Sequence, residues 1–364
     1  MSERAAVLRE IGVPLQIEDI TLKPVAPDQV RVRIAASGVC HSDLSLAIGG
    51  LPFVTPSVLG HEGAGVVEQA GAGVSHVQPG DHVVIAWTAA CHRCWYCHHG
   101  EPHLCSRAIA DVYSMPYATD SLGRDLFPTM GVSSFATATN CLGRAVVKID
   151  KSVPLDIAAL IGCGVATGVG AAMNTAPVAA GSSVAVIGAG GVGLSAMLGA
   201  VVRGAGRVIV ADPVAERRDV ALALGATHAI DPAGENVVER IKALTGTRGA
   251  DFVFEAVGRA AIVEQAVAAT RRGGTTCIVG ATGTEAKISL STYDLFMDGK
   301  TLVGSQYGST VPERDFPLLL DLWQSGRLPL DRLISDRITL TEVNKALDQF
   351  AAGTGLRTMI VNPD

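Results

Sequence analysis

A glycine-rich turn between an apolar strand and an apolar helix most restricts the fold of this chain. Residues 188–193 read Gly-Ala-Gly-Gly-Val-Gly. In the G-x-G-x-x-G pattern the first glycine turns the backbone, the second admits a pyrophosphate, and the third lets the helix pack against the strand. The pattern alone is weak in a chain with 41 glycines, but a helix N-terminus directly after a strand can hold phosphate. The sequence therefore predicts a dinucleotide site at Gly188, Gly190, Gly191 and Gly193.

From about Gly181 onward, strands and helices alternate. Such alternation predicts a parallel sheet with right-handed crossovers, and the expected fold class for this part of the chain is α/β with a doubly wound parallel sheet. The predicted helices are residues 192–203 and 215–224, and the predicted strands are residues 184–187, 208–211, 252–255, 276–279 and 301–304.

Asp212 ends the second of these strands, and this position predicts the coenzyme. A carboxylate about 20 residues beyond the glycine turn accepts hydrogen bonds from the adenosine ribose hydroxyls. It would repel a 2′-phosphate, so NAD is expected rather than NADP. Asp212 also precedes Pro213, where it is suited to cap a helix, and one side chain can serve both purposes.

Length and composition bound the remaining choices. The chain has 364 residues, which suggests two domains, and 48% hydrophobic against 18% charged residues indicates buried cores. The first half is mostly β, with short apolar runs separated by turn residues. A formal net charge of −6 without a basic run argues against nucleic acid. The first ten residues lack a signal-peptide pattern, and apolar stretches are interrupted by Gly, Pro or charge, so a cytoplasmic protein without a membrane segment is expected.

Four cysteines lie close together in the first half as Cys-x-x-Cys-x-x-Cys-x7-Cys. Four thiolates at this spacing can enclose one zinc ion tetrahedrally, and a closed shell leaves no position for substrate, so the site is structural. Iron–sulfur ligation uses similar runs and is the alternative. The neighbouring histidines are interpreted as solvated loop residues. The predicted ligands are Cys91, Cys94, Cys97 and Cys105.

Three further residues are candidate ligands of a second metal site. Cys40 stands in Gly-Val-Cys-His-Ser-Asp, His61 in Gly-His-Glu-Gly and Cys163 in Gly-Cys-Gly. Their spacing alone does not bring them together. Taken one at a time, a lone cysteine is more often a small buried apolar residue.

With these motifs the sequence resembles the zinc-containing medium-chain alcohol dehydrogenases over nearly the whole chain. The resemblance implies a GroES-like, mostly β catalytic domain at residues 1–164, carrying the structural zinc lobe, and completed by residues 306–364. The NAD-binding Rossmann domain is inserted at residues 165–305. The resemblance rests on residues 38–43, 59–65, 91–105, 161–168, 188–193, 255–258 and 355–358.

The same resemblance implies the catalytic residues. Cys40, His61 and Cys163 hold a catalytic zinc whose fourth position is open, an arrangement typical of alcohol dehydrogenases, where zinc acts as a Lewis acid. Asp43 orients the imidazole of His61, and Glu62 lies behind the metal. The Ser42 hydroxyl binds the substrate oxygen and starts a proton relay. Many relatives end that relay at a histidine, but this chain has Ser45 there, which cannot act as a base near neutral pH.

The resemblance further implies the coenzyme contacts. His41 and Arg357 pair with the pyrophosphate, Thr167 and Val192 support the nicotinamide, and Arg217 lies beside the adenosine ribose.

The expected activity is reversible hydride transfer between an alcohol and NAD, giving an aldehyde or ketone. One alternative is an S-(hydroxymethyl)glutathione dehydrogenase; against it, the loop 46–56 has no acidic residue and Ile109 stands where that branch carries a basic one. A zinc-lobed binding protein without turnover is the alternative outside enzymology. The segments 111–136 and 301–307 resemble those of dimeric relatives, so a homodimer is expected, with a tetramer as the alternative.

Overall fold

The structure is a computed structural model that describes residues 3–50, 54–108, 110, 115–281, 283–353 and 355–363. Ile109 and residues 51–53 and 111–114 lie outside the described residues, so the structure does not test the sequence interpretations that involve them.

Two compact units divide the chain. The first comprises Met1–Cys163, Val311–Gln324 and Leu330–Asp364, and the second comprises Gly164–Thr310 and Ser325–Pro329. The chain crosses from the first unit to the second inside a helix and returns at Val311, whereas the family resemblance implies a return at residue 306. A short excursion, Ser325–Pro329, also belongs to the second unit; the sequence carries no composition change at that place.

The first unit is mostly β, as the sequence predicted. Five strands close a barrel in the order β1-β2-β7-β8-β4, and a second sheet has the order β10-β6-β5-β3-β18-β17, with β9 also paired to β3. The strands are β1 Glu3–Leu8, β2 Gln16–Leu22, β3 Gln29–Val39, β4 Ser57–Val58, β5 Glu62–Ala70, β6 His82–Ile85, β7 Ala118–Asp120, β8 Asp125–Pro128, β9 Ala138–Leu142, β10 Val146–Ile149, β17 Ile334–Ile338 and β18 Arg357–Val361.

Strand β3 shows why these residues form a sheet. Val30, Val32 and Ile34 are buried, while Arg31 and Arg33 between them are not. Alternation with a period of two puts the apolar side chains on one face, where they pack in the core of this unit. β3 thereby becomes a rigid central strand that ends next to Cys40.

The second unit contains one parallel sheet in the order β13-β12-β11-β14-β15-β16. This is the strand order of a dinucleotide-binding doubly wound sheet, with β11 and β14 on either side of the point where the order reverses. The predicted fold class is confirmed. The strands are β11 Ser183–Ile187, β12 Arg207–Ala211, β13 His228–Ile230, β14 Ala250–Glu255, β15 Thr270–Ile278 and β16 Thr301–Gly304.

One helix, Leu155–Thr175, is long and apolar enough to cross a bilayer by length and composition alone. This differs from the expectation that glycines interrupt such stretches. However, 83% of its most apolar segment is buried inside the protein, as in the core helix of a globular protein. The helices among the described residues are α1 His41–Ala47, α2 Trp95–His98, α3 Leu155–Thr175, α4 Gly191–Val202, α5 Ala215–Ala223, α6 Val237–Leu244, α7 Ala260–Ala269, α8 Thr292–Asp298, α9 Pro312–Gln324 and α10 Val343–Ala351.

Candidate active site

Three distant segments bring Cys40, His61 and Cys163 together in the first unit. Cys40 lies between β3 and α1, His61 immediately precedes β5, and Cys163 lies inside α3. Their ligand atoms, together with a carboxylate oxygen of Glu62, all lie within 4.8 Å of one another. Gly162 allows this approach because a Cβ there would stand 3.2 Å from the Cα of Glu62. The fold thus supplies the proximity that sequence spacing could not.

Asp43 fixes the orientation of the imidazole. Its Oδ1 lies 3.0 Å from Nδ1 of His61 and also accepts the backbone N–H of Gly60, while Oδ2 accepts the backbone N–H of Cys40. The carboxylate is fully buried. Because Nδ1 is held by Asp43, the other ring nitrogen, Nε2, is the one presented to the sulfurs.

The electrostatics of this cluster favour a bound cation. A hydrogen bond from Cys163 and the neighbouring His61 hold the pKa of Cys40 well below its usual range. Burial lowers the pKa of His61, but Asp43 and the Cys40 thiolate outweigh burial and raise it to about 10. Negative charge is therefore stabilised on sulfur even without a metal.

The donor set fits zinc. Nε2 of His61 is buried, and within the described part of the chain it makes no hydrogen bond of ordinary geometry. The Cys40 thiolate is nevertheless close enough to raise the pKa of His61. Two sulfurs and one imidazole nitrogen are the ligands of a catalytic zinc that keeps one position open. A buried ring nitrogen that faces a thiolate and a second sulfur is the set of donors that a cation between them would satisfy.

Glu62 forms an ion pair that no pattern near it in the sequence predicts. Its carboxylate pairs with the guanidinium of Arg357, and the two side chains are buried, with 0% and 4% exposure. The two residues are 295 positions apart, and β18 joins them because it pairs with β3 beside β5. Gly38 leaves the space for the carboxylate.

The four-cysteine lobe is brought together as well. Cys91, Cys94, Cys97 and Cys105 have their sulfurs within 4.8 Å of one another. The Sγ of Cys94 lies 3.5 Å from that of Cys97 and 3.8 Å from that of Cys105. The backbone N–H of Cys97 lowers the pKa of Cys94 to about 5. Thiolates this close repel one another unless a cation lies between them, so the lobe also fits a zinc ion.

The glycine turn has the shape that a pyrophosphate needs. Gly188 has a φ of +97°, and a Cβ at Gly193 would clash with the carbonyl oxygen of Gly188. A Cβ at Gly190 would meet nothing within 4 Å, so this glycine borders open space, as the pattern requires. The turn leads into the N-terminus of α4.

Asp212 lies beside the turn and is almost wholly buried. Oδ2 accepts the backbone N–H of Ala189 at 2.7 Å, and Oδ1 accepts that of Val214 at 2.9 Å. The Nη1 of Arg217 lies 4.0 Å from Oδ2. The carboxylate thus braces the glycine turn and the start of α5 together.

The remaining expected site residues fall in two places. In the second unit, Gly168 lets α3 contact the carbonyl of Val192, which brings Thr167 next to the glycine turn. In the first unit, the Ser42 hydroxyl lies 3.9 Å from the Sγ of Cys40, and His41 begins α1 with an exposed side chain.

Comparison with known proteins agrees with this geometry. Residues 26–151 match the alcohol dehydrogenase GroES-like domain, and residues 191–325 match the zinc-binding dehydrogenase domain. The chain is 38% identical to a geraniol dehydrogenase of Castellaniella defragrans, covering 99% of this chain and 98% of the relative. It is 36% identical to an S-(hydroxymethyl)glutathione dehydrogenase of Paracoccus denitrificans, covering 99% of this chain and 100% of the relative.

Among solved structures, a benzyl alcohol dehydrogenase of Acinetobacter calcoaceticus matches with a TM-score of 0.93 and 34% identity, covering 100% of both chains. Sequence and fold thus agree over the full length, and both cysteine clusters are intact. The chain belongs to the zinc-containing medium-chain alcohol dehydrogenase family, whose members are oxidoreductases that act on CH–OH groups.

Proposed function

We propose that this protein is an NAD-linked alcohol dehydrogenase with two zinc ions per subunit, one catalytic and one structural. The observation that carries the proposal is that the fold brings together Cys40, His61 and Cys163 from three separate segments. The buried Nε2 of His61 thereby lies close to the sulfurs of both cysteines. A bound zinc ion supplies Lewis acidity that makes a substrate hydroxyl easier to deprotonate.

The chain's own residues orient the substrate and move its proton. Oxidation removes a proton from the alcohol oxygen and a hydride from the carbon, and NAD, when bound, accepts the hydride. The Ser42 hydroxyl, 3.9 Å from the Cys40 sulfur, is placed to accept the proton and pass it on. Ser45 cannot end the relay as a base near neutral pH, so His41, ribose hydroxyls or water complete it. Asp43 keeps the imidazole of His61 in one orientation throughout.

NAD is the proposed coenzyme. The open space beside Gly190 and the buried carboxylate of Asp212 support it. His41 and Arg357 are proposed to pair with the pyrophosphate, Arg217 to lie at the adenosine ribose, and Thr167 with Val192 to support the nicotinamide.

The proposed substrates are apolar primary alcohols, allylic or aryl. The relatives named for geraniol and benzyl alcohol support this class. The alternative is the glutathione adduct of formaldehyde, which the Paracoccus relative's name suggests. The described residues of the loop 46–56 carry no acidic side chain, so they offer no partner for the ammonium group of such an adduct. The intact Cys40, His61 and Cys163 set argues against a binding protein without turnover.

We further propose a cytoplasmic homodimer, with a tetramer as the alternative. Strand β16, Thr301–Gly304, is an open edge of the parallel sheet, and such an edge invites pairing with a second chain. The helix α8 before it exposes Tyr293, Phe296 and Met297, at 69%, 79% and 47%. These positions share one helix face.

The test combines metal analysis with a turnover screen. The wild type is expected to contain two zinc ions and to oxidise benzyl alcohol or geraniol with NAD faster than it oxidises the glutathione adduct. Cys163→Ser is expected to lose one zinc ion and turnover while the unfolding temperature changes little, because the remaining site is closed and structural.

Cys141→Ser is the matched control, since Cys141 is another buried cysteine, which contacts the carbonyl of Val30 instead. It should keep both zinc ions and turnover. Finding one zinc per fully active subunit would refute the catalytic site, and a clear preference for the glutathione adduct would replace the proposed substrate class.

A further inference from the structure

A left-handed turn in the second unit holds three consecutive residues with positive φ. Tyr307, Gly308 and Ser309 have φ values of 54°, 66° and 49°. Residues other than glycine adopt this conformation rarely, and usually singly, because Cβ crowds the following carbonyl. Strained backbone of this kind persists only where its surroundings hold it, and it concentrates at functional sites.

The Thr175 hydroxyl, at the end of α3, contacts the segment before this turn and the last residue of the turn. Its Oγ1 lies 2.9 Å from Oγ of Ser305 and 2.8 Å from Oγ of Ser309. A hydroxyl has one proton to donate and two lone pairs to accept with, so Thr175 can donate to one serine and accept from the other. One side chain thereby contacts Ser305, two residues before the turn, and Ser309, the last residue within it.

The left-handed turn also contacts the backbone of α3 at Thr167. A Cβ at Gly308 would clash with the carbonyl of Ala166 and would lie 2.6 Å from that of Thr167. A Cβ at Gly170 would stand 2.5 Å from the carbonyl oxygen of Gly308. The Thr310 hydroxyl also donates to Ala166 at 3.3 Å. Turn and helix therefore meet backbone to backbone.

We propose that Thr175 is a positioning residue of the coenzyme site. It holds the left-handed turn 307–309 against α3, and the turn fixes the helix backbone that presents Thr167 to the nicotinamide. The inference rests on the proposed binding of NAD. Neither Thr175 nor the turn belongs to the glycine motif, and their coupling follows from the contacts of Ser305 and Ser309.

The test compares Thr175→Val, which keeps the shape and removes the hydroxyl, with Thr175→Ser, which restores it. Thr175→Val is expected to weaken NAD binding, titrated by protein fluorescence, about two- to tenfold, the range of one lost hydrogen bond. The KM for NAD should rise more than kcat falls. Backbone amides of residues 305–310 should exchange hydrogen faster, and Thr175→Ser should return all three measurements toward wild type.

Thr245→Val controls for general destabilisation. Thr245 is a buried threonine of the same unit, and its hydroxyl donates to the carbonyl oxygens of Ile241 and Lys242. These residues are distant in sequence from the left-handed turn. It should lower the unfolding temperature and leave the KM for NAD unchanged. If Thr175→Val left NAD binding and amide hydrogen exchange unaltered, or if Thr175→Ser weakened NAD binding as much as Thr175→Val, the positioning role of Thr175 would be refuted while the proposed coenzyme would stand. A wild type that binds no NAD would instead refute the proposed coenzyme.

Discussion

We propose that the carboxylate of Asp212 both supports the coenzyme site and selects the coenzyme. Its two oxygens already accept backbone N–H groups of Ala189 and Val214. A 2′-phosphate brought to this carboxylate would meet a like charge, whereas the nearby guanidinium of Arg217 would attract it. We therefore predict that Asp212→Gly lowers the ratio of kcat/KM with NAD to kcat/KM with NADP by tenfold or more.

The ratio is informative because a looser glycine turn in Asp212→Gly would slow both coenzymes together. Adding Arg217→Ala in the same background should remove the gain with NADP, which identifies the guanidinium as its source. A wild type that already prefers NADP, or a ratio unchanged by Asp212→Gly, would contradict the assignment.

At the scale of single residues, the sequence identified the candidate site residues better than it identified the residues they contact. The glycine turn and the four-cysteine lobe were recognisable because their members are close in sequence and local spacing determines their geometry. Cys40, His61 and Cys163 required the family resemblance, since no local rule joins residues on three segments. The Glu62–Arg357 pair was missed because it depends on β18 returning to β3, a tertiary pairing that no pattern near either residue encodes.

Among the elements, the zinc lobe has little apolar material of its own. Its core consists of Ala90, Cys105 and Ala108, with the other cysteines packed against them. So small a cluster cannot offset the entropy of ordering the segment. The proposed structural zinc would supply the difference.

We predict that Cys97→Ser loses the structural zinc, lowers the unfolding temperature and opens residues 91–108 to proteolysis, whereas His98→Ala does none of these. His98 is an exposed histidine of the same lobe, so it is a matched test of whether sulfur alone holds the ion. Zinc content, thermal unfolding and limited trypsin digestion measure the three effects. Loss of zinc in His98→Ala would mean that the ligand set is wrong.

The helix α3 is the element that sequence reasoning described least well. Its segment contains Gly162, Gly164, Gly168 and Gly170, and each glycine disfavours a helix by about 1 kcal/mol relative to alanine. Tertiary packing overrides that preference, because Gly168 and Gly170 permit backbone contact with α4 and with the left-handed turn. Strand β3 was easier to predict, since burial on one face leaves a period of two in its sequence.

For the molecule as a whole, chain length predicts two domains, and the family resemblance implies that one is inserted into the other. The structure has two compact units, with a return to the first unit at Val311 and the extra segment Ser325–Pro329 in the second. The return is hard to predict because α9, Pro312–Gln324, is an amphipathic helix. Such a pattern shows that one helix face is buried but does not show to which unit the helix belongs.

Assembly is the property of the whole molecule that a surface variant can test. Phe296 is 79% exposed on α8, the helix that precedes the open edge strand β16 in the chain. Burying Phe296 against a second copy would remove its apolar area from water. Phe296→Lys should therefore convert a species of twice 37.5 kDa into one of 37.5 kDa in sedimentation analysis, because a buried unpaired ammonium is costly.

Leu122→Lys, at a residue 74% exposed on the barrel, is the matched control and should leave the mass unchanged. A wild-type mass of four times 37.5 kDa would favour the tetramer, and a Phe296→Lys protein that stays dimeric would place the interface elsewhere.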